Sequence, residues 1–167
     1  IESFKQFAMR IPCENDGGYL LIAHDNAHRQ LITPSLTCKV ETFGFHPEAD
    51  YQIIFDPAVK RVGILRDGMW TIQWTNPMPG SHNALNAAAA AIHAANLGVD
   101  WTDIIAPLEN FGGVDRRLQK LGTLPCNGGS AIVYDDYGHH PTEIELTLNA
   151  LRAAELPKRL ICVFQPH

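Results

Sequence analysis

The chain has 167 residues, of which 46% are hydrophobic and 19% are charged, and its net charge is −5. This mild acidity argues against binding to nucleic acid or to a membrane surface. No apolar run approaches the roughly 20 residues that a membrane helix needs. The four cysteines are scattered without a C-x-x-C pair, a spacing typical of reduced thiols in a cytoplasmic protein rather than of a disulfide framework or a zinc site.

The first 75 residues predict two short helices and a run of strands. Apolar residues at helical spacing predict a helix over residues 3–11, which Pro12 ends. A buried strand is predicted over residues 19–23 and a short helix over residues 26–32. Further extended segments cover residues 40–45, 51–55, 61–65 and 70–75, with a hairpin turn at Asp67-Gly68. We expect residues 39–75 to form a small antiparallel sheet with Trp70 and Trp74 in the core.

The second half predicts two helices followed by a β-α-β unit. Ser81 can cap a helix that runs to Leu97 and ends at Gly98, and another helix covers residues 101–111. Glycine pairs at residues 112–113 and 128–129 bracket a segment that we expect to act as a hinge. A strand over residues 131–134, a helix over 141–155 and a strand over 160–164, with Cys162 in the core, complete the pattern. The fold class is therefore α/β.

A dense polar turn joins the predicted strand 131–134 to the helix that starts at Pro141. It contains two carboxylates, a phenol and two imidazoles, at Asp135, Asp136, Tyr137, His139 and His140. In open α/β sheets ligands bind beyond the carboxyl ends of the strands, so this turn is a candidate ligand site. The alternative is a polar loop that only caps the helix. Adjacent histidines point in different directions and lack a spaced third ligand, so we assign no metal to them.

Two further clusters could bind a nucleotide. In Gly80-Ser81-His82-Asn83-Ala84-Leu85-Asn86, helical spacing places His82 and Asn86 on one face, with Asn83 adjacent. Amide side chains offer the donors and acceptors that a purine edge needs, although taken alone the cluster is better explained by simple capping with solvated amides. Arg116 and Arg117 follow Gly112-Gly113 and could bind a phosphate through their guanidinium groups, or be two surface arginines. No phosphate-binding G-x-x-x-x-G-K-[ST] sequence occurs in the chain.

Taken together, these stretches resemble the Mur ligase family over about residues 80–167. The resemblance rests on the matching order of four motifs: Gly80, His82, Asn83 and Asn86; Phe111, Gly113, Val114, Arg116, Arg117 and Gln119; Asp135 through Glu143; and Phe164-Gln165-Pro166-His167. It implies that residues 1–128 are the later part of a central ATP-binding domain. Residues 129–167 would then begin a Rossmann-like C-terminal ligase domain. The phosphate-binding loop and the Mg²⁺ ligands would lie in a part of the family's sequence that precedes these residues, so the 167 residues alone are not expected to ligate.

The resemblance also implies a reaction and roles for its residues. The family's ATP-dependent chemistry would activate the carboxylate of UDP-N-acetylmuramate as an acyl phosphate, which the amine of L-alanine attacks during peptidoglycan precursor synthesis. The expected cofactors are ATP and Mg²⁺. Asn83 and Asn86, with His82 beside them, would contact adenine. Arg117, with Arg116, would contact phosphate, and Asp136 would contact ribose. The expected contacts to the amino acid and the reacting carboxylate come from Tyr137, His139, His140 and His167.

Three alternatives remain open on the residues alone. One is the related ligase that attaches recycled murein tripeptide to UDP-N-acetylmuramate, in which Phe-Ala would be expected in place of Tyr137-Gly138. Another is a metal-dependent hydrolase that uses the histidines and aspartates of the polar turn. The third is a nucleotide-binding module without catalysis, which the missing phosphate-binding loop leaves open for these residues.

Overall fold

The computed structural model describes residues 1–126 and 128–165. It contains five α-helices, seven strands and one short 3-10 turn, Glu14–Asp16, in those residues. The helices are α1 Glu2–Ala8, α2 Arg29–Ile32, α3 Ser81–Asn96, α4 Trp101–Glu109 and α5 Pro141–Glu155. The strands are β1 Tyr19–Ala23, β2 Lys39–Gly44, β3 Tyr51–Asp56, β4 Arg61–Arg66, β5 Met69–Thr75, β6 Gln119–Cys126 and β7 Gly129–Asp135. The α/β class expected from the sequence is confirmed.

The first five strands form one mixed sheet in the order β1-β2-β3-β4-β5. The pairs β3–β4 and β4–β5 are antiparallel, as expected, but β1–β2 and β2–β3 are parallel. The expectation of a purely antiparallel sheet over residues 39–75 is therefore wrong for β2. The connection through α2 brings the chain back so that β2 runs parallel to β1. The first residues of β3 pair only with the last residues of β2, Phe43 and Gly44, so the short loop at residues 45–50 needs no return crossover.

One face of this sheet packs against α3 and α4. The helix α3 contributes a stripe of small residues at helical spacing, Ala84, Ala88 and Ala91 with Ile92, and all four are buried. Small side chains let the helix axis approach the sheet closely. Trp74 and Ile64 lie beneath the stripe and are fully buried. This core fixes the N-terminal end of α3, where the polar cluster begins.

The register of β5 separates its two tryptophans. Between β4 and β5 the register shifts, so that Ile64 pairs with Ile72 but Leu65 pairs with Trp70. Because neighbouring residues of a strand face opposite sides, Trp70 lies on the face opposite Ile64. Its side chain is 54% exposed, whereas Trp74 is fully buried. The predicted core position is confirmed for Trp74 and wrong for Trp70.

A second, two-stranded sheet contains β6 and β7. The strands are antiparallel, with Cys126 paired to Gly129 at the turn. Within the described part of the expected hinge, residues 112–129, strand covers residues 119–126 and begins again at Gly129, residue 128 is a turn, and residues 112–118 are irregular. The division expected after residue 128 falls between two hydrogen-bonded strands.

The C-terminal segment differs from the expected β-α-β unit. Helix α5 begins at Pro141 as predicted and buries Ala150 and Leu151 against Leu118. Residues 156–165 contain no strand in the part of the chain that the structure describes. Ile161 and Val163 are exposed, and Cys162 is exposed rather than in the core. An apolar run becomes a strand only where a neighbouring edge supplies backbone partners, and no described strand does so here.

The structure corrects one of the two expectations about the ends of α3 and confirms the other. The N-cap residue of α3 is Gly80 and not Ser81. Ser81 is the first residue of the helix, and no side chain makes a capping hydrogen bond at this end. At the other end, Gly98 has a positive φ of 93° and terminates the helix as predicted. Within the described residues, no helix is long and apolar enough to cross a membrane.

Candidate functional site

A cleft of about 590 Å³ lies between the start of α3, the segment before β6, and the start of α5. Residues from parts of the chain far apart in sequence meet there. Its lining comprises Asn76, Met78, His82, Asn83, Asn86, Ala87, Ala90, Leu108, Phe111, Val114, Arg117, Leu118, Asp136, Glu143, Leu146 and Thr147. Five of the residues predicted to bind a nucleotide line this one cleft: His82, Asn83, Asn86, Arg117 and Asp136.

The first turn of α3 supplies three polar side chains to one wall. Gly80 caps the helix with a positive φ of 94°. A Cβ atom at Gly80 would lie 2.8 Å from Cε1 of His82 and 3.0 Å from Cβ of Ala150, so glycine is needed for α3 and α5 to approach here. Asn83 donates from Nδ2 to the Pro79 carbonyl at 2.7 Å. Its Oδ1 atom is therefore left as an acceptor toward the cleft.

His82 is held in the neutral form. Burial lowers the pKa of its imidazole, a nearby Asp136 carboxylate opposes this shift, and Arg117 adds to it. The Nδ1 atom is buried and finds no hydrogen-bond partner among the described residues. A buried nitrogen without a partner costs free energy, so its presence in a cleft indicates a ligand or water position.

The two adjacent arginines diverge. Arg117 lines the cleft, with Nη1 3.9 Å from Oε1 of Glu143. Arg116 turns away, and its guanidinium lies 4.6 Å from the ring centre of Tyr137 and 3.9 Å from the Asp135 carboxylate. A positive φ of 60° at Arg116 and an isolated bridge between Val114 and Arg117 produce this tight turn. The predicted phosphate contact therefore has support in the geometry for Arg117 only.

Asp136 connects the end of β7 to the segment before β6. Its Oδ2 atom accepts from the Leu118 backbone N–H and its Oδ1 atom from the Gly138 N–H, each at 2.8 Å. A Cβ atom at Gly138 would lie 2.7 Å from Oδ1, so only glycine permits this approach. Each carboxylate oxygen has a further lone pair that can accept from a ligand hydroxyl.

The other polar residues of the turn lie outside this cleft. The Tyr137 and His139 rings contact edge to face at 5.5 Å, and Nδ1 of His139 is 3.9 Å from Oε2 of Glu143. His139 also lines a second, open cleft of about 650 Å³ along α5. His140 caps α5 by accepting from the Thr142 N–H at 3.3 Å. His167 lies outside the described residues.

The sequence identified Glu143 only as the last residue of the motif Asp135 through Glu143, with no role assigned to it. In the structure it lines the cleft between Arg117 and His139, and its Oε2 atom is buried with no partner among the described residues. Its position one turn into α5, after His139 at i,i+4 spacing, was the available signal. In the apolar part of the lining, Phe111 belongs to a family motif, whereas Leu108 and Leu146 had no such signal.

Comparisons with known proteins identify related sequences and related folds. Residues 116–167 match the family domain described as Mur ligase, glutamate ligase domain. The chain is 38% identical, over 169 aligned residues, to the UDP-N-acetylmuramate–L-alanine ligase of Thiobacillus denitrificans, with 99% of this chain and 36% of that protein covered. The chain therefore spans about a third of the length of this relative.

Similar solved structures are Mur ligases as well. The crystal structure of MurF from Acinetobacter baumannii superposes with a TM-score of 0.67 at 21% identity, over 89% of this chain and 32% of that one. The UDP-N-acetylmuramate:L-alanyl-gamma-D-glutamyl-meso-diaminopimelate ligase from Neisseria meningitides gives a TM-score of 0.58 at 25% identity, over 68% of this chain and 35% of that one. By its sequence relatives and by its fold, the chain belongs to the Mur ligase family.

Proposed function

We propose that the 590 Å³ cleft binds the adenine nucleotide of an ATP-dependent amide ligase. The observation that carries the proposal is the set of side chains that lines this one cleft. Ala87, Ala90 and Phe111 supply apolar surface, Asn83 and Asn86 supply amides, and Arg117 and Asp136 supply a cation and a carboxylate. A planar base, a ribose and a phosphate chain need these kinds of partner.

The base would lie against the apolar part of the lining, at Ala87, Ala90 and Phe111. Asn86 is an exposed amide at the mouth, and Asn83 presents Oδ1, so the pair can both donate to and accept from a purine edge. His82 also lines the cleft, and its neutral imidazole can offer or accept a further hydrogen bond there. Burial of this imidazole disfavours the protonated form, which would present a donor only.

The sugar and phosphates would extend toward α5. Asp136 is already anchored by two backbone N–H groups, so its carboxylate is rigid and can accept from a ribose hydroxyl without reorganisation. Arg117 carries the cationic fork that binds phosphate oxygens. ATP would supply the phosphoryl group that activates a substrate carboxylate. We assign Mg²⁺ to no residue of this chain.

Amino-acid handling is assigned to the second cleft. His139 lines it and is linked to Glu143, while Arg116 holds the Tyr137 ring by a cation–π contact. We propose that Tyr137 and His139 face the amino acid and the reacting carboxylate. His140 contributes through the start of α5 that it caps, and His167 is assigned from the family resemblance.

The hairpin β6–β7 argues for a domain boundary at residues 112–118 rather than after residue 128.

The reaction that we propose joins L-alanine to UDP-N-acetylmuramate in cytoplasmic peptidoglycan precursor synthesis. The relative of that name, matched over 99% of this chain, supports it. The second candidate is attachment of the tripeptide L-alanyl-γ-D-glutamyl-meso-diaminopimelate, supported by the similarity to the structure of that ligase. The family resemblance associates Phe-Ala at this position with the tripeptide enzyme. This chain has Tyr137-Gly138 there, which favours L-alanine as the substrate.

Nucleotide binding is tested by calorimetry on this chain with adenosine and with ADP. Replacing Asn86 by Ala should weaken both ligands by about fivefold to tenfold, the effect of about 1–1.5 kcal/mol from one lost hydrogen bond. The matched control is Asn96→Ala at the other end of α3, which should leave both affinities unchanged. Equal effects of the two asparagine variants would contradict the assignment of the base.

The phosphate assignment needs a different comparison. Arg117→Ala should weaken ADP but not adenosine, because only ADP has the phosphates that the guanidinium would contact. Arg152→Ala, on the second cleft, should affect neither ligand. A similar loss for adenosine and ADP in Arg117→Ala would show that the arginine supports the fold of the cleft and does not contact phosphate.

The choice between the two acceptors is tested on the full-length product of the gene that encodes this chain. ATP-dependent phosphate release is measured with UDP-N-acetylmuramate and either L-alanine or the tripeptide. We expect release with L-alanine. Release with the tripeptide alone would select the second candidate, and release with neither would refute the ligase proposal.

A further inference from the structure

Three side chains of types that can bind metal ions lie close together at an edge of the first sheet, outside both clefts. His24 directly follows β1, and His46 and Glu48 follow β2, its parallel neighbour. One ligand atom from each residue lies within 4.8 Å of the other two. Among the described residues, none of the three lines either cleft. The cluster therefore has no part in the function proposed above.

The tautomer of His24 follows from which group donates each hydrogen bond among His24, Thr42 and Asp50. The Thr42 hydroxyl and backbone N–H both lie 2.7 Å from Oδ2 of Asp50, which as a carboxylate can only accept. The hydroxyl proton is thereby committed to Asp50. Nδ1 of His24, at 3.4 Å from the Thr42 oxygen, must then be the donor. The neutral ring carries its proton on Nδ1, and the Nε2 lone pair is left free.

This arrangement is the one that metal sites use. A metal-binding histidine usually donates its other N–H to an oxygen, which fixes the tautomer and the ring orientation and raises the basicity of the ligating nitrogen. Here that oxygen is Thr42 Oγ1, which is itself held by Asp50 from both sides, because Asp50 N also donates to it at 3.0 Å. His24 is thus oriented for a ligand that Nε2 would bind.

The backbone brings the two loops together before any ligand binds. His24 N donates to the Phe43 carbonyl at 2.7 Å, and Phe45 N donates to Oδ2 of Asp25 at 3.1 Å. Gly44 makes this possible, since a Cβ atom there would lie 2.5 Å from Oδ2 of Asp25. As a result the rings of His24 and His46 lie parallel within 10°, with centres 4.9 Å apart.

We propose that His24, His46 and Glu48 form a binding site for a divalent transition metal ion, with zinc as the best fit. Two imidazoles and one carboxylate, with an open fourth position, are a donor set that zinc accepts. Ligand bonds of about 2.0–2.1 Å at tetrahedral angles need donors about 3.3 Å apart, so the side chains must close in from their present spacing. His46 and Glu48 are exposed and can rotate.

Two existing contacts oppose binding. A ring nitrogen binds a metal ion in the plane of its own ring, so the stacked rings of His24 and His46 can share one ion only after the exposed His46 ring rotates out of the stack. The other contact is a hydrogen bond. Glu48 N donates to Nδ1 of His46 at 3.2 Å. Coordination through Nδ1 displaces this N–H, and coordination through Nε2 moves a proton to Nδ1, which also ends the bond. The site therefore gives up one hydrogen bond on binding, and its affinity should be weaker than that of a closed four-ligand structural site.

The test is zinc binding to the chain in a Cys126→Ser, Cys162→Ser background, because exposed thiols also bind zinc. Competition with a chromophoric chelator should give roughly one zinc per chain. His24→Ala and His46→Ala should each weaken binding by more than tenfold, and Glu48→Gln should weaken it without affecting the fold, since Glu48 is exposed.

Two further variants separate this site from incidental binding. Thr42→Val removes the hydroxyl that orients His24 and should weaken zinc about tenfold, with the circular dichroism of the chain unchanged. His28→Ala, an exposed histidine of the same loop, is the matched control and should bind zinc like the parent. Zinc binding that is equal in the parent and in a His24→Ala, His46→Ala double variant would overturn the proposal, as would loss of binding in His28→Ala alone.

Discussion

The Asp136 carboxylate should contribute to stability through two backbone contacts, independently of any ligand. In Asp136→Asn one oxygen is replaced by an amide NH₂, which cannot accept from the Leu118 or the Gly138 N–H group that lies 2.8 Å away. One charge-assisted hydrogen bond is lost, and the amide NH₂ group then faces a backbone N–H group, which is also a donor. Hydrogen bonds to charged groups contribute about 1.5–3 kcal/mol each. We therefore expect the free energy of unfolding to fall by about 2 kcal/mol.

The neighbouring residue provides a matched control. Asp135 is 43% exposed and lies 3.9 Å from Arg116, an exposed ion pair that contributes little. Asp135→Asn should change the stability by less than about 0.5 kcal/mol. For a chain of this size, the loss in Asp136→Asn corresponds to a fall in Tm of about 4–8 °C, measurable by circular dichroism. Equal melting temperatures for the two asparagine variants would refute the reasoning.

Three further predictions concern the frame around the site. Gly80→Ala should destabilise the chain by about 1–3 kcal/mol, because its positive φ and two close neighbours exclude a side chain; Gly98→Ala, with a φ of 93° and open space, should cost less in the same thermal melts. Burial alone would raise the pKa of Glu41, but its hydrogen-bonded and cationic partners outweigh burial and lower the pKa below 4.5. The ionised carboxylate therefore stabilises the fold above pH 4.5, and this stabilisation is lost as the pH falls through the folded-state pKa. Glu41→Gln should flatten that acid limb in melts across the range, and an unchanged limb would exclude this role. Trp74→Ala should cost about 3–5 kcal/mol in urea denaturation, whereas exposed Trp70→Ala should cost much less, and the reverse order would contradict the register of β5.

Local chemistry determined where several of the elements begin and end. Gly98 terminates α3 and Pro141 begins α5, as their sequence positions predict. Asp67-Gly68 turns the chain with positive φ at both residues. These features depend on backbone preferences within a few residues, so they can be read without knowledge of the rest of the chain. The family motifs likewise contain eight of the residues that line the 590 Å³ cleft, and five of these eight were assigned to nucleotide binding.

Strand pairing was decided by the tertiary structure. Periodicity shows which face of a strand is apolar but not the direction of its neighbour, so the parallel pairing of β2 could not be predicted. Strand β6 contains Gly122 and Pro125, both unfavourable in strands, and is held by its pairing with β7. Residues 160–164 show the opposite case, an apolar run that remains irregular where no described strand pairs with it.

The sites depend on the same non-local contacts. Arg116 and Arg117 are equivalent in the sequence, and only the left-handed turn at Arg116 directs one of them into the cleft and the other onto Tyr137. His24 and His46 are 22 positions apart in the numbering of the chain and meet only because β1 and β2 run parallel. The sequence by itself determined the residue types and the local turns. The tertiary structure decided which side chains converge, because convergence depends on how distant strands and helices pack.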